Sequence, residues 1–315
     1  MKILITGCAG FIGSHLVEKL LDDGHKVIGV DNFNDYYNPK IKQDNLSNAT
    51  KSNNFKLYRL DILNFEKLNN VLDKEKPDKI VHLAARAGVR PSIKSPELYA
   101  QVNVLGTVNL LKLSVEYSVK QFIFGSSSSV YGNSKRLPFT EDDLCDAIIS
   151  PYGASKRVAE FWVETFWQTY GLKSTILRFF TVYGPRGRPD MAPAIFTNAI
   201  SAGKEVNMFG DGSSSRDYTY IDDIIEGIVK VLNKNLEFEI VNLGNNQPIT
   251  LSDFISTIEQ VTAKKAKIKK LPKQPGDVEK TWANIVKAKR LLGWQPKTKI
   301  EEGLRKYVEW LKTPN

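Results

Sequence analysis

The sequence predicts an α/β chain, with a doubly wound parallel sheet over residues 1–184 and a smaller C-terminal α/β unit over 185–315, some of the chain crossing between the two. Three observations predict it. Short apolar runs alternate with helical periodicity throughout the first half, which implies right-handed crossovers and a sheet covered on both faces. A glycine triplet stands directly between the first apolar run and the first helical stretch. After Gly184 the rhythm loosens, and Gly and Pro punctuate often, as in Gly184-Pro185 and Gly210-Asp211-Gly212.

Each element has its own signal. Lys2–Thr6 reads as a strand, and Ile12–Leu21 as a helix with Ile12, Leu16, Leu20 and Leu21 on one stripe. Lys26–Val30 is the next strand, followed by a polar interruption from Asn32 to Asn54. Strand Phe55–Leu60, a helix near Phe65–Leu72 and strand Lys79–Leu83 resume the alternation. A helix from about Leu98 to Tyr117, strand Gln121–Phe124, a helix from Tyr152 to about Tyr170 and strand Ser174–Phe179 close the series. In the smaller unit the pattern gives helices at Ala192–Ala202, Asp222–Leu232, Leu251–Val261 and Ile300–Leu311. Short strands are expected there at Val206–Phe209 and Glu239–Leu243.

Composition excludes several classes. At 315 residues, with 42% apolar and 25% charged residues, the chain is an ordinary globular protein and no disordered one. No run approaches the ~18 apolar residues of a membrane span, so no membrane partner is expected. Two cysteines, Cys8 and Cys145, make no disulfide framework and fit a cytoplasmic location. Three histidines without ligand spacing argue against a metal site. The net charge of +9 invites a nucleic-acid reading. However, the lysines at 264, 265, 267, 269, 270 and 273 carry no interleaved aromatic platform. A solvated face is expected instead, with a positive field that collects an anionic substrate.

The segment Gly7-Cys8-Ala9-Gly10-Phe11-Ile12-Gly13 has the chemistry of a phosphate loop. Glycines there let the backbone turn tightly and approach a pyrophosphate, while the helix N-terminus offers free N–H groups. Asp31 follows 18 residues after Gly13 at the end of the second strand, where an acid accepts from adenosine ribose hydroxyls. It also repels a 2′-phosphate, which favours NAD over NADP. Asp61, just after the third strand, is placed to meet the adenine or to serve as a loop residue.

Tyr152-Gly153-Ala154-Ser155-Lys156 puts a phenol and an ammonium on one helix face. A free tyrosine, with a pKa near ~10, is a poor base at neutral pH. A neighbouring cation and an oxidised nicotinamide would pull it down. The run Ser126–Ser129, leaving the strand that begins at Gln121, supplies a hydroxyl at the carboxyl end of the sheet.

At this point the chain resembles the extended short-chain dehydrogenase/reductase family, with its Rossmann fold, and within it the nucleotide-sugar epimerases. The residues that carry the resemblance are Thr6-Gly7-x2-Gly10-x2-Gly13, His82-Leu83-Ala84-Ala85, Asn103-Val104-x-Gly106-Thr107, Ser126–Ser129 with Val130-Tyr131-Gly132, and Tyr152-x3-Lys156. The resemblance implies Tyr152 as catalytic base, Lys156 as its partner and Ser127 as the catalytic serine, with Ser126 and Ser128 as alternatives. It implies that Leu83, Ala84, Ala85 and Asn103 line the cofactor. Phe11, Ile12, Asn32, Ile62 and Ser126 are expected beside them. Family dimers use two helices like those near 98–117 and 152–170, so a homodimer is expected.

Substrate class follows from finer likeness. Sugar-nucleotide 4,6-dehydratases carry an Asp-Glu pair where Ser128 and Ser129 stand, and UDP-xylose-forming decarboxylases usually have Glu at the latter position. Three segments look like UDP-glucuronate 4-epimerases: Asp31–Tyr37, Ala87-Gly88-Val89-Arg90, and Arg178–Met191. One departure is Arg186, where that branch usually has Trp. The expected reaction oxidises C4 of a UDP-sugar and reduces it again on the other face. With a uronic acid the 4-keto intermediate can lose CO₂ unless its carboxylate is pinned. Arg188 as a bidentate clamp and Thr181 as a donor are the candidates, with Arg186 as a second clamp, while Arg90, Ser127 and Ser128 are expected among the other substrate-binding residues. Arg216 is expected on the diphosphate and Asp277 on the uridine ribose. A UDP-glucose, UDP-galactose or UDP-N-acetylhexosamine 4-epimerase is the alternative, and a catalytically silent dinucleotide sensor the alternative from another class.

Overall fold

The computed structural model describes residues 1–272 and 278–313. Seven parallel strands form the central sheet in the spatial order Phe238–Leu243, Ser174–Phe179, Gln121–Ser127, Lys79–His82, Lys2–Thr6, Lys26–Asp31 and Phe55–Arg59. The strands alternate their side chains between two cores. Ile3, Ile5, Val81, Ile123, Leu177 and Val241 enter one. Leu4, Ile28, Ile80, Phe122, Phe124 and Ile176 enter the other. Burial on both faces is why these strands read as unbroken apolar runs.

The strand order reverses between Lys2–Thr6 and Lys79–His82, which lie side by side with Thr6 opposite His82. Ligands of open α/β sheets bind outside the carboxyl ends at such a switch point. The two strand ends are pinned there. Thr6 Oγ1 meets His82 Nδ1 at 2.6 Å, and His82 Nε2 meets Thr107 Oγ1 at 3.0 Å. Full burial holds the imidazole well below its usual pKa and so neutral.

The strand at 238–243, expected in the smaller unit, instead extends the main sheet beyond Ser174–Phe179. The helix before it, Ile221–Leu232, packs on Phe11–Asp22. The helix expected near 98–117 is built of Pro96–Tyr99, a π-helical segment Ala100–Leu105, and Gly106–Glu116. Gly106 allows close approach there, since a Cβ would meet Ile62 Cδ1 at 2.5 Å. Pro151–Tyr170 starts at Ser150, whose Oγ accepts from Gly153 N at 3.1 Å, and stops at Gly171 with φ +69°.

The remaining strands make two small sheets. Ser215–Tyr220 lies between Pro248–Thr250 and Thr181–Tyr183, and Glu205–Phe209 pairs with Lys267–Leu271. The polar interruption after Asn32 contains a short helix, Pro39–Asn45, whose Lys42 and Asn45 are buried. No helix of the described residues is long and apolar enough to cross a membrane.

Candidate active site

A cleft of about 580 Å³ runs from the glycine loop along the carboxyl ends of the strands to the small sheets. The tight turn demanded of the loop is real at two positions. Gly7 sits at φ +69°, and a Cβ on it would come within 2.7 Å of Ala84 N. A Cβ on Gly13 would lie 2.1 Å from the Gly7 carbonyl oxygen. No side chain caps the helix that begins at Phe11, and Gly10, Phe11 and Ile12 line the cleft.

Asp31 is buried at the cleft wall, where its carboxylate accepts from Phe33 N at 2.8 Å and Ala9 N at 3.1 Å. Burial raises its pKa, while Lys42, 4.0 Å away, and the two N–H groups oppose that shift. Asn32 donates to Asp61 at 2.7 Å, and both line the cleft with Ile62. Leu83, Ala84 and Ala85 also line the cleft, Ala84 directly against Gly7. Asn103 is not part of that lining. Its buried amide exchanges hydrogen bonds with the Arg86 backbone at 2.7 and 2.9 Å and donates to Ser155 Oγ at 2.9 Å. It is spent on holding the strand end to the Tyr152 helix.

Tyr152, Lys156 and Ser127 all line the cleft. The Ser127 hydroxyl lies close enough to the phenol to influence it, and the ring meets the Tyr99 ring edge-on at 6.2 Å. Burial pushes the phenol up, while the Ser127 hydroxyl and the Arg188 guanidinium work the other way. The pull expected from Lys156 is not among these influences. Lys156 Nζ donates to the Gly125 carbonyl at 2.8 Å and lies over the Phe124 ring. Burial lowers its pKa to about 7 against the opposing charge of Glu160. Among the described residues, the cation felt by the phenol is thus Arg188.

Ser126 lines the cleft as well, but its Oγ is committed to Glu160 Oε1, to which it donates at 2.6 Å. Ser128 and Ser129 also line the cleft, and Ser127 Oγ donates to Ser129 Oγ at 3.1 Å.

At the far end Thr181, Arg188, Arg90 and Arg216 line the same cleft. The Arg90 guanidinium stacks 4.6 Å from the Phe209 ring centre, and Arg216 donates to the Ser215 and Glu279 carbonyls. Arg188 is paired already, with Nε 3.0 Å from Asp190 Oδ1 and Nη2 2.6 Å from Asp190 Oδ2. Arg186 is no second clamp. Its backbone stands at φ +60°, and its side chain pairs with Glu18 on the Phe11–Asp22 helix at 2.9 Å, outside the cleft lining. Asp277 lies outside the described residues.

Sequence reasoning assigned no role to Tyr36, Lys42, Tyr99 or Asp190, although Tyr36 and Asp190 lie inside segments it singled out. Tyr36 acts through contacts distant in the chain, whereas Asp190 works through Arg188 only two residues away, a pairing that no motif in the sequence marks. The Ala87 carbonyl accepts from Tyr36 at 2.6 Å and from Tyr99 at 3.0 Å.

A glycine-cradled phosphate site, an acid at the second strand end and a Tyr-x3-Lys pair in one cleft define an extended short-chain dehydrogenase/reductase. A family model described as GDP-mannose 4,6 dehydratase matches residues 4–307, and the chain belongs to that family. It is 45% identical over 310 residues to the UDP-glucuronate 4-epimerase of Thermodesulfobacterium geofontis, covering 98% of this chain and 95% of the other. The crystal structure of the UDP-glucuronic acid 4-epimerase from Bacillus cereus in complex with UDP-glucuronic acid and NAD matches with a TM-score of 0.94 at 38% identity, over 99% of both chains. The UDP-glucose 4-epimerase of Thermotoga maritima with UDP-glucose matches with a TM-score of 0.90 at 37% identity, again over 99% of both.

Proposed function

We propose that the chain is an NAD-dependent isomerase that interconverts UDP-glucuronate and UDP-galacturonate by inverting C4. The observation that carries this reading is the placement of Tyr152, Ser127 and Arg188 around one cleft that also holds the glycine loop. The relatives and structural neighbours bearing that activity cover nearly the whole chain.

The residues present fit the dinucleotide. Gly7 and Gly13 leave no room for a Cβ, and the buried Asp31 carboxylate suits a ribose diol and repels a 2′-phosphate. Gly7, Gly10 and Gly13 would hold the pyrophosphate, Asp31 and Asn32 the adenosine ribose, Asp61 and Ile62 the adenine, and Lys156 the nicotinamide ribose. When bound, NAD supplies the acceptor and donor of the hydride exchanged at C4.

The chain's own groups handle the proton. Tyr152 takes the 4-OH proton as general base, and the nearby Ser127 hydroxyl shares it. Arg188 stabilises the phenolate by charge. Ser128 and Ser129 carry hydroxyls, so neither acid nor base is supplied for eliminating water at C5–C6. The 4-keto sugar formed from a uronate is a β-keto acid and loses CO₂ when its carboxylate stands perpendicular to the carbonyl plane. Arg188 and Thr181 hold the carboxylate away from that geometry. Arg216 and Arg90 face the anionic diphosphate end.

Residues 1–184 serve the cofactor and 185–315 mainly the UDP-sugar, with 238–243 returning to the first. The protein works in the cytoplasm as a homodimer. An apolar groove lined by Val104, Leu105, Val158 and Trp162 on the Pro96–Glu116 and Pro151–Tyr170 segments supports pairing, with Leu105 51% and neighbouring Phe161 50% exposed.

The test is NMR of the protein incubated with UDP-glucuronate. UDP-galacturonate without UDP-pentose is expected; a pentose product would move the chain to the decarboxylases.

A further inference from the structure

Arg188 has five N–H donors fixed in one plane. Asp190 takes the Nε–Nη2 edge, with oxygens at 3.0 and 2.6 Å. The second hydrogen of Nη2 is directed between Tyr36 Oη at 3.3 Å and the Ala87 carbonyl at 3.4 Å. Nη1 has no partner among the described residues, yet it is not among the buried polar atoms left unpaired. The guanidinium therefore meets the cleft with one nitrogen, and its positive charge is shared with a carboxylate two residues along. The Tyr36 ring, 5.2 Å from the guanidinium carbon, and the Tyr36 hydroxyl, 3.3 Å from Asp190 Oδ2, close the other sides.

This geometry is at odds with a bidentate grip on a substrate carboxylate. A full fork-to-fork pair is strong and directional, and inversion at C4 requires the sugar ring to release its contacts and turn. We propose that Asp190 is a positioning residue that attenuates Arg188, confining it to one-point contact with the uronate through Nη1 so that the carboxylate is held against loss and still released for the turn. The inference rests on the UDP-glucuronate reading above and concerns how that substrate is held.

The test compares steady-state kinetics with UDP-glucuronate for the unmutated enzyme, Asp190→Asn, Asp190→Glu, Arg188→Ala and the Arg188→Ala/Asp190→Asn double variant. Asp190→Asn keeps the size and one acceptor but removes the charge. It is expected to lower KM about fivefold or more and to lower kcat by a similar factor, because the freed arginine grips too well. Asp190→Glu is expected to recover most of both. In the Arg188→Ala background the Asn substitution is expected to change neither constant by more than about twofold, since coupled residues are not additive. A KM that stays or rises in Asp190→Asn overturns the inference, as does an undiminished effect of the Asn change without Arg188. If the unmutated enzyme does not turn over UDP-glucuronate at all, the substrate reading fails and this inference with it.

Discussion

Ser126 and Ser127 are adjacent in the chain and send their hydroxyls to opposite sides of the strand that carries them. Ser126 Oγ donates to the buried Glu160 at 2.6 Å, whereas Ser127 lines the cleft beside Tyr152 and donates to Ser129 Oγ at 3.1 Å. The period of two in a strand decides which hydroxyl is committed to Glu160 and which stays with the cleft. Ser127→Ala is expected to lower kcat about 10²-fold with little change in melting temperature. Ser126→Ala should instead cost about 1–2 kcal/mol of stability and leave most activity. Paired kinetics and urea melts check both, and the reverse pattern would exchange the two roles.

On the proposed reading, Arg188→Ala removes both a contact to the uronate and the cation felt by Tyr152. We expect kcat/KM for UDP-glucuronate to fall by about 10²-fold, roughly the 2–3 kcal/mol of a charge-assisted contact. UDP-pentose should appear in the product mixture by NMR. Product free of pentose would remove Arg188 from the protection of the keto acid.

Gly13→Ala drives a methyl group into the Gly7 carbonyl. The loop must open to admit it, so the dissociation constant for NADH, followed by fluorescence, is expected to rise by at least about tenfold. An unchanged constant would mean that the loop does not cradle the cofactor.

Lys156 gives a pH prediction with a definite sign. Its pKa is lowered from 10.5 to about 7 in the folded chain, chiefly by burial. The unfolded chain therefore binds more protons between these values, and stability rises with pH across that window. Lys156→Met is expected to abolish epimerisation, yet to be more stable than the parent by a few kcal/mol at pH 6. That gap should close toward pH 10. Denaturant melts at the two pH values decide it; a Met variant weaker than the parent at pH 6 contradicts the burial cost.

Phe161→Glu combined with Trp162→Glu places two charges on exposed apolar positions beside the groove. Sedimentation velocity should show a monomer where the parent sediments as a dimer. Two species of equal mass would locate the dimer contact elsewhere.

Much of this was legible in the chain itself. Ile3-Leu4-Ile5 and Phe122-Ile123-Phe124 announce strands buried on both faces, and the glycine spacing and Tyr152-x3-Lys156 mark the cleft. What escaped depends on partners far away in sequence. Phe238–Leu243 resembles any short strand until Ser174–Phe179 is seen to lack a neighbour. Ser215–Tyr220 hides its strand in polar residues because Asp217 is buried, accepting backbone N–H groups of Asn245, Asn246 and Ala283. Arg186 and Arg188 look equivalent in a Gly-Pro loop. Only the positive φ of Arg186 and the position of Glu18 turn one away and leave the other in the cleft.

The late return of residues 238–243 to the sheet has a bearing on biosynthesis. A nascent chain that has left the ribosome only as far as Gly184 presents Ser174–Phe179, paired on one side by Gln121–Ser127, as an open edge of unpaired N–H and C=O groups. Such an edge invites pairing between neighbouring polypeptides. More than fifty further residues must be translated before the strand that shields it exists, so a fragment ending near 184 should precipitate even though it contains every group proposed to grip a dinucleotide.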